Sequence, residues 1–129
     1  MRSAICCILL GVGISGCGSI PPSEFRARVG AAMTVSAKST PQDFAACVIP
    51  YMEGLEFFIT NEGLTANMRK NRDGWEVFAM NADRTMYLID VSSKRSDISI
   101  AALFLDPTKY NAKTILDGFT KAAKGCGAV

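Results

Sequence analysis

The residues of this 129-residue chain with the most distinctive chemistry are its five cysteines. Cys6, Cys7 and Cys17 lie near the start of the chain, whereas Cys47 and Cys126 lie far apart in the rest of it. A thiol can be acylated, oxidised to a disulfide, bind a metal or act as a nucleophile. The chain has no histidine, which excludes His-dependent triads, His metal sites and His proton shuttles. The surroundings of each cysteine therefore decide its role.

The first 16 residues have the three parts of an export signal. Arg2 supplies a positive start, residues 4–14 form an apolar run, and two small residues follow. The run is too short for an ordinary membrane-spanning helix, which needs about 20 apolar residues. Cys6 and Cys7 lie within this run, and we interpret them as apolar residues of a segment that is removed. We therefore predict a signal peptide at residues 1–16.

The four residues Ile14-Ser15-Gly16-Cys17 resemble the lipobox of bacterial lipoproteins, which has an aliphatic residue, two small residues and a cysteine. The resemblance implies cleavage between Gly16 and Cys17, a diacylglyceryl group on the Cys17 thiol, and an acyl chain such as palmitate on the new amino group. Two or more acyl chains anchor a protein stably, whereas one chain holds it only marginally. An ordinary secretory signal with an unmodified cysteine after it is the alternative interpretation.

Residue 18 bears on the membrane that would hold the protein. It is Gly18 and not the Asp that resembles the inner-membrane retention signal of Gram-negative lipoproteins. In a Gram-negative host, the resemblance therefore favours the outer membrane, with the protein facing the periplasm. The net charge of +2 gives no general attraction to nucleic acid. The predicted partners are the membrane, through Cys17, and an envelope protein or the cell wall.

Cys47 and Cys126 are the cysteines that remain if Cys17 carries lipid. An exported domain lies in an oxidising compartment, so these two thiols are predicted to form a disulfide. Closing a loop of about 80 residues would restrict the unfolded chain by roughly 4 to 5 kcal/mol in the chain-entropy model. The alternatives are a free buried cysteine and a redox pair, although no Cys-x-x-Cys spacing supports the second.

The segment before the predicted domain has an extended start and an ambiguous continuation. The two prolines of its first residues favour extended chain, whereas the apolar residues between positions 25 and 33 have a helical spacing that Gly30 dilutes, so this stretch either forms a short helix or lies loosely on the domain. Residues 17–39, which include the stretch GSIPPSE, are predicted to form the lipidated N-terminus and a tether that spans roughly 25 Å. A helix is predicted to begin at Pro41, with Thr40 as its cap. Pro50 either kinks or ends this helix, because proline removes a backbone donor.

The remaining chain predicts a sheet followed by a helix. Between residues 64 and 105, apolar residues alternate in four runs that are separated by turn sequences. A closing helix then extends to a stop at Gly125. These patterns predict an α+β domain at residues 40–129, with the order helix, four-stranded antiparallel meander, helix. Both helices are expected to cover one face of the sheet, in a two-layer sandwich.

Five basic residues are predicted to lie in two of the turns. Arg69, Lys70 and Arg72 lie at the first turn of the meander, and Lys94 and Arg95 lie at the third. The first and third turns of a meander are at the same end of the sheet, so these residues form a candidate basic patch. The patch could contact lipid phosphates, an acidic glycan or an acidic partner. The simpler interpretation is that they are ordinary solvated turn residues.

Other polar residues predict no chemistry. Asp90 lies within an apolar strand and is interpreted as a residue on its solvent face. No catalytic residue, metal-ligand set or cofactor is predicted, because no corresponding motif is present. The layout at residues 40–127 loosely resembles small envelope lipoproteins of Gram-negative bacteria. We expect a non-enzymatic binding or assembly module of the cell envelope, with an inhibitor of an envelope hydrolase or a small envelope enzyme as the alternative.

Overall fold

The computed structural model describes residues 21–55, 65–81, 84–109 and 111–129. These residues form three helices, α1 (Pro22–Val29), α2 (Pro41–Glu53) and α3 (Ala112–Gly125). They also form five strands, β1 (Ala31–Ala37), β2 (Asn67–Lys70), β3 (Gly74–Asn81), β4 (Arg84–Arg95) and β5 (Ile98–Phe104). The strands pair antiparallel in one sheet with the order β1-β5-β4-β3-β2. The predicted α+β class is confirmed.

The sheet contains one strand more than the sequence predicts. Strands β2 to β5 form the expected meander, in which each strand pairs with the next along the chain. The fifth strand is β1, which pairs with β5 and comes from the segment predicted to be a tether. An edge strand has one neighbour and is only partly buried, so regular alternation of apolar and polar residues is not required of it. For this reason the sequence AAMTVSA gives a weak strand signal.

Helix α1 also lies in the segment predicted to be a tether. It begins with Pro22 in its first turn, and Phe25 is its buried residue. A helix with one buried apolar side chain has weak hydrophobic periodicity, so the sequence pattern indicated a short helix here only as one of two alternatives. Gly30, at φ 69° and ψ 170°, turns the chain from α1 into β1. Helix α1 and strand β1 therefore extend the fold into the segment predicted to be a tether, of which residues 17–20 lie outside the described residues.

The sheet is covered on both faces, which corrects the prediction of two layers. Helices α2 and α3 pack on one face of the sheet. The main core lies between these helices and the odd-numbered strand residues, whose side chains point to that face. The largest buried side chains of this core are Phe44, Val48 and Met52 of α2, Ile115 and Phe119 of α3, and Val77, Tyr87, Ile89, Val91 and Leu103 of the sheet. Helix α1 lies on the other face, where its Arg26 contacts Glu76 and Asp90. The result is a third, small layer formed by α1.

Helix α2 continues through Pro50 to Glu53, so proline does not end it. The Thr40 hydroxyl caps its first turn by accepting a hydrogen bond from the Asp43 N–H at 3.2 Å, as predicted. Pro50 is exposed and lies in the last turn, where few residues follow it. The Gly54 N–H donates to the Pro50 carbonyl at 3.1 Å and closes the helix.

The predicted signal peptide and Cys17 lie outside the described residues. Within the described residues, no helix combines the length and the apolar character needed to cross a membrane.

Candidate functional site

The face of the sheet beneath α1 carries a cluster of four charged side chains, Arg26, Arg69, Glu76 and Asp90, called here the ion-pair cluster. Arg26 donates through Nε to Asp90 Oδ2 at 2.5 Å and through Nη2 to Asp90 Oδ1 at 2.6 Å. The same Nη2 also donates to Glu76 Oε2, and Arg69 Nε donates to Glu76 Oε1. Two positive and two negative side chains therefore compensate one another.

The two carboxylates of the cluster need a cation between them. Glu76 on β3 and Asp90 on β4 are directly opposite in the strand register. Like charges in such a pair repel each other, and Glu76 is only 3% exposed, so water screens it little. Arg26 contacts both carboxylates from α1, and Arg69 is the registered partner of Glu76 on β2. These ion pairs thus hold α1 over this position of the sheet.

The guanidinium groups of the cluster are held by further contacts. The hydrogen bond to Asp90 raises the pKa of Arg26 above its usual value, although burial acts in the opposite direction. The Arg69 guanidinium carbon lies 4.4 Å from the centroid of the Phe78 ring, which is a cation–π distance. The Asn71 side-chain amide donates to Asp90 at 3.5 Å. These contacts suit a clamp that fixes α1 on the sheet.

A cleft of about 510 Å³ opens beside the ion-pair cluster. It lies between the start of α1 and the ends of β3 and β4, and its lining includes Pro22, Arg72, Asp73 and Ser92. The β2–β3 turn that forms one wall is shaped by Asn71, whose side-chain oxygen accepts a hydrogen bond from the Asp73 N–H at 3.1 Å. The cleft could admit a small polar group, whereas the charges at its base are already paired with one another.

The five residues of the candidate basic patch divide into two groups. Four of them, Lys70, Arg72, Lys94 and Arg95, are exposed at the end of the sheet that holds the β2–β3 and β4–β5 turns. We call this end the turn end. Arg69 instead belongs to the ion-pair cluster through its bond to Glu76. Arg95 lies 3.5 Å from Asp97, but these side chains are 72% and 76% exposed, so water weakens the pair.

Cys47 and Cys126 form a disulfide, as the sequence predicts. Their Cα atoms are 5.9 Å apart, and the bridge joins α2 to the end of α3 across 79 residues of sequence. It lies on the helical side of the sheet, away from the ion-pair cluster and the cleft. This placement gives the bridge a structural role in holding the two core helices together.

Sequence reasoning identified Asp90 as unusual but did not identify its partners. Arg26 lies 64 residues from Asp90 and 50 residues from Glu76 along the chain, so only the fold brings these side chains together. The available signal was a charged residue in each of two apolar strands that are neighbours in a meander. Among the described residues, no group of three or more Cys, Asp or Glu side chains is positioned to hold a metal ion. No protein-family model, curated protein or solved structure matches this chain.

Proposed function

We propose that this chain is a lipoprotein of a bacterial cell envelope. In this proposal residues 1–16 are removed, and Cys17 carries the acyl chains that hold the protein on the periplasmic side of the outer membrane. The folded domain acts there as a non-enzymatic binding or assembly module.

The observation that carries the proposal is the disulfide between Cys47 and Cys126. Disulfides persist in oxidising compartments and are rare where cellular thiols keep cysteines reduced. The export signal and the lipobox resemblance point to the same kind of compartment. Once residues 1–16 are removed, Cys17 is the cysteine that this pairing leaves over, and its thiol is available for lipid.

The ion-pair cluster supports binding over catalysis. A general acid or base has to exchange a proton with a substrate. The two carboxylates beside the cleft, Glu76 and Asp90, instead accept hydrogen bonds from arginines of the protein itself. These two carboxylates therefore serve to position α1. The exposed turn end and the cleft are the surfaces that remain for contact with another molecule.

Lipid attachment is tested by the mass of the mature protein. The full sequence would be expressed in a Gram-negative host, and the N-terminal peptide would be analysed by mass spectrometry. We expect a peptide that begins at Cys17 and carries acyl chains, and a protein that enters the detergent phase on phase separation. Cys17→Ser should abolish both properties, whereas the matched change Cys7→Ser should leave them intact. An unmodified Cys17 in the wild-type protein would overturn the proposal.

The choice of membrane is tested at residue 18. If Gly18 favours the outer membrane, the acylated protein should sediment with outer-membrane vesicles in a density gradient. Gly18→Asp should move it to the inner membrane without changing its acylation. Equal distribution of both proteins would contradict the predicted location.

The role of the domain is tested by crosslinking in intact cells. Recovery of one envelope complex in stoichiometric amount would support the assembly module. Recovery of a hydrolase would instead support the alternative, an inhibitor of that enzyme. The same crosslinking with the Arg72→Glu variant, which changes the wall of the cleft, should recover less of a partner that binds at the cleft.

A further inference from the structure

The start of α1 fixes where the chain enters the domain. Pro22 lines the same cleft as Arg72 and Ser92, which lie at the turn end. One turn later, Arg26 contacts Asp90, which comes two residues before Ser92 in β4 and is thus further from the turn end. The helix ends at Gly30, and Ala31 is opposite Phe104 at the other end of the sheet, called here the far end. Helix α1 therefore runs from the turn end to the far end.

The chain between Cys17 and the folded domain is short. Pro21 is four residues after Cys17, and four extended residues span at most about 14 Å. The sheet is longer than this, because the six steps from Ile98 to Phe104 in β5 cover roughly 20 Å. A lipid group on Cys17 would thus hold the turn end close to the bilayer, whereas the far end lies beyond the reach of the tether.

The exposed charges of the turn end favour contact with lipid phosphates. Its two turns and adjoining strand ends present four exposed basic residues, Lys70, Arg72, Lys94 and Arg95, and two exposed acidic residues, Asp73 and Asp97. These two turns with their adjoining residues therefore carry an excess of +2. Basic residues next to an anionic membrane are attracted to it, and the attraction fades within about 10 Å at 0.1 M salt.

We infer that the turn end is the membrane-facing surface of this protein, and that Arg72 and Lys94 contact the phosphates of anionic phospholipids there. The inference rests on the proposed lipidation of Cys17. The tether sets which end faces the bilayer, and the basic side chains hold that end against the lipid head groups. The far end is then directed toward the periplasm.

The orientation is tested with the acylated protein in vesicles of phosphatidylethanolamine and phosphatidylglycerol. A fluorophore would be attached at Ser96→Cys in the turn end or at Ala31→Cys at the far end, both of which are exposed positions. Lipids with a nitroxide on the head group would serve as quenchers. We expect loss of most of the fluorescence at position 96 and little loss at position 31, since roughly 20 Å of strand separates them.

The role of charge is tested by reversal at each end. Arg72→Glu combined with Lys94→Glu should reduce quenching at position 96, because each basic residue removed weakens contact with an anionic membrane by roughly fivefold. The matched variant Arg84→Glu with Lys109→Glu changes two exposed residues of the far end and should leave quenching unchanged. Circular dichroism would verify that both variants fold. High salt or vesicles of phosphatidylcholine alone should have the same effect as the first variant.

The possible failures are distinct. A mature protein with no acyl mass on Cys17 would overturn both the proposed function and this inference. An acylated protein with equal quenching at positions 96 and 31, or stronger quenching at 31, would overturn this inference alone. Unequal quenching that is unaffected by Arg72→Glu with Lys94→Glu would overturn the phosphate contact.

Discussion

Arg26 is the side chain on which the docking of α1 depends most. Its guanidinium contacts both Glu76 and Asp90, which face each other across two strands. Arg26→Ala would leave these carboxylates opposed and would also remove three hydrogen bonds. Loss of one partner of a fully buried ion pair costs about 3 to 5 kcal/mol, but Arg26 and Asp90 are partly exposed, so we expect about 2 kcal/mol. Urea unfolding would measure this loss.

Arg28 provides the control for Arg26 because it lies on the same helix. It pairs with Glu24 at 3.5 Å, with both side chains more than half exposed at 58% and 59%. Exposed pairs at this spacing contribute about 0.3 to 0.5 kcal/mol. Arg28→Ala should therefore change the free energy of unfolding by less than about 0.5 kcal/mol. Equal losses for the two variants would contradict the role given to the ion-pair cluster.

Removing the buried hydroxyl of Tyr87 is expected to stabilise the protein, unlike the loss of Arg26. The side chain is fully buried in the core, and the hydroxyl has no hydrogen-bond partner among the described residues. Burial also raises the pKa of the Tyr87 phenol far above its usual value. Tyr87→Phe should keep the packing, remove the unpaired group and stabilise the protein by about 1 kcal/mol. Thermal unfolding would measure it, and a loss of stability would mean that the hydroxyl has a partner.

The role of a single residue could be predicted from sequence where it depends only on the residue type and on the cellular compartment. The Cys47–Cys126 pair follows from counting cysteines in an exported chain, and the structure contains it. The ion-pair cluster does not follow from such reasoning, since Arg26 lies in a stretch with little periodicity and its partners are 50 and 64 residues away. An arginine within a predicted tether carries no local sign that it will be partly buried.

At the level of elements, the disulfide connects α2 to α3. It closes a loop of 79 residues, and in the chain-entropy model such a crosslink stabilises the folded state by about 4 to 5 kcal/mol. Cys47→Ser combined with Cys126→Ser should therefore remove a large part of the net stability. Denaturant unfolding of this variant would be compared with that of the wild type with and without reductant. A variant as stable as the oxidised protein would contradict the expected contribution.

The connection from α1 to β1 depends on Gly30. Its φ of 69° and ψ of 170° belong to a region that only glycine adopts readily. Gly30→Ala meets no neighbouring atom within 4 Å, so its cost comes from the backbone and should be about 1 to 3 kcal/mol. Gly54 is the control, since its φ of −79° and ψ of −3° suit any residue and a Cβ there makes ordinary contacts. Thermal unfolding should show a loss for Gly30→Ala and none for Gly54→Ala.

The elements that were predictable share a strong pattern. Strands β3, β4 and β5 have alternating apolar residues because one face of each packs on α2 and α3. Helix α2 has an N-terminal cap and an apolar stripe, and Pro50 in its last turn disrupts neither of them. Helix α1 and strand β1 lack these signals, since each contributes few side chains to a core and is held by long-range contacts. Their order in the chain gave no indication that they return to the sheet.

At the scale of the whole molecule, α1 and β1 complete the domain. Strand β1 covers the edge of β5, and the chain end also pairs with β1 through the bridge between Ala37 and Ala128. Helix α1 covers the other face, where Phe25 and Leu88 are buried outside the main core. The N-terminal segment is therefore both part of the fold and the connection to the predicted anchor. If Cys17 carries the proposed lipid, this dual role would hold the domain nearer to the bilayer than a tether of 23 residues would.

The boundary of the domain gives the last prediction. A variant that begins at Pro21 keeps α1 and β1, whereas one that begins at Thr40 matches the boundary predicted from sequence and lacks both. The second variant would expose Leu88 and one edge of β5, and would leave Glu76 and Asp90 without Arg26. Small domains have a net stability of about 5 to 15 kcal/mol, and losing these contacts together should remove it.

Near-ultraviolet circular dichroism and thermal unfolding would compare the two variants. We expect a cooperative transition for the protein that begins at Pro21 and none for the protein that begins at Thr40. Arg26→Ala in the longer protein serves as the intermediate case, since it loses the ion pairs but keeps β1. Cooperative unfolding of both truncated variants at one temperature would show that α1 and β1 contribute little, and the segment would then be a tether that only rests on the sheet.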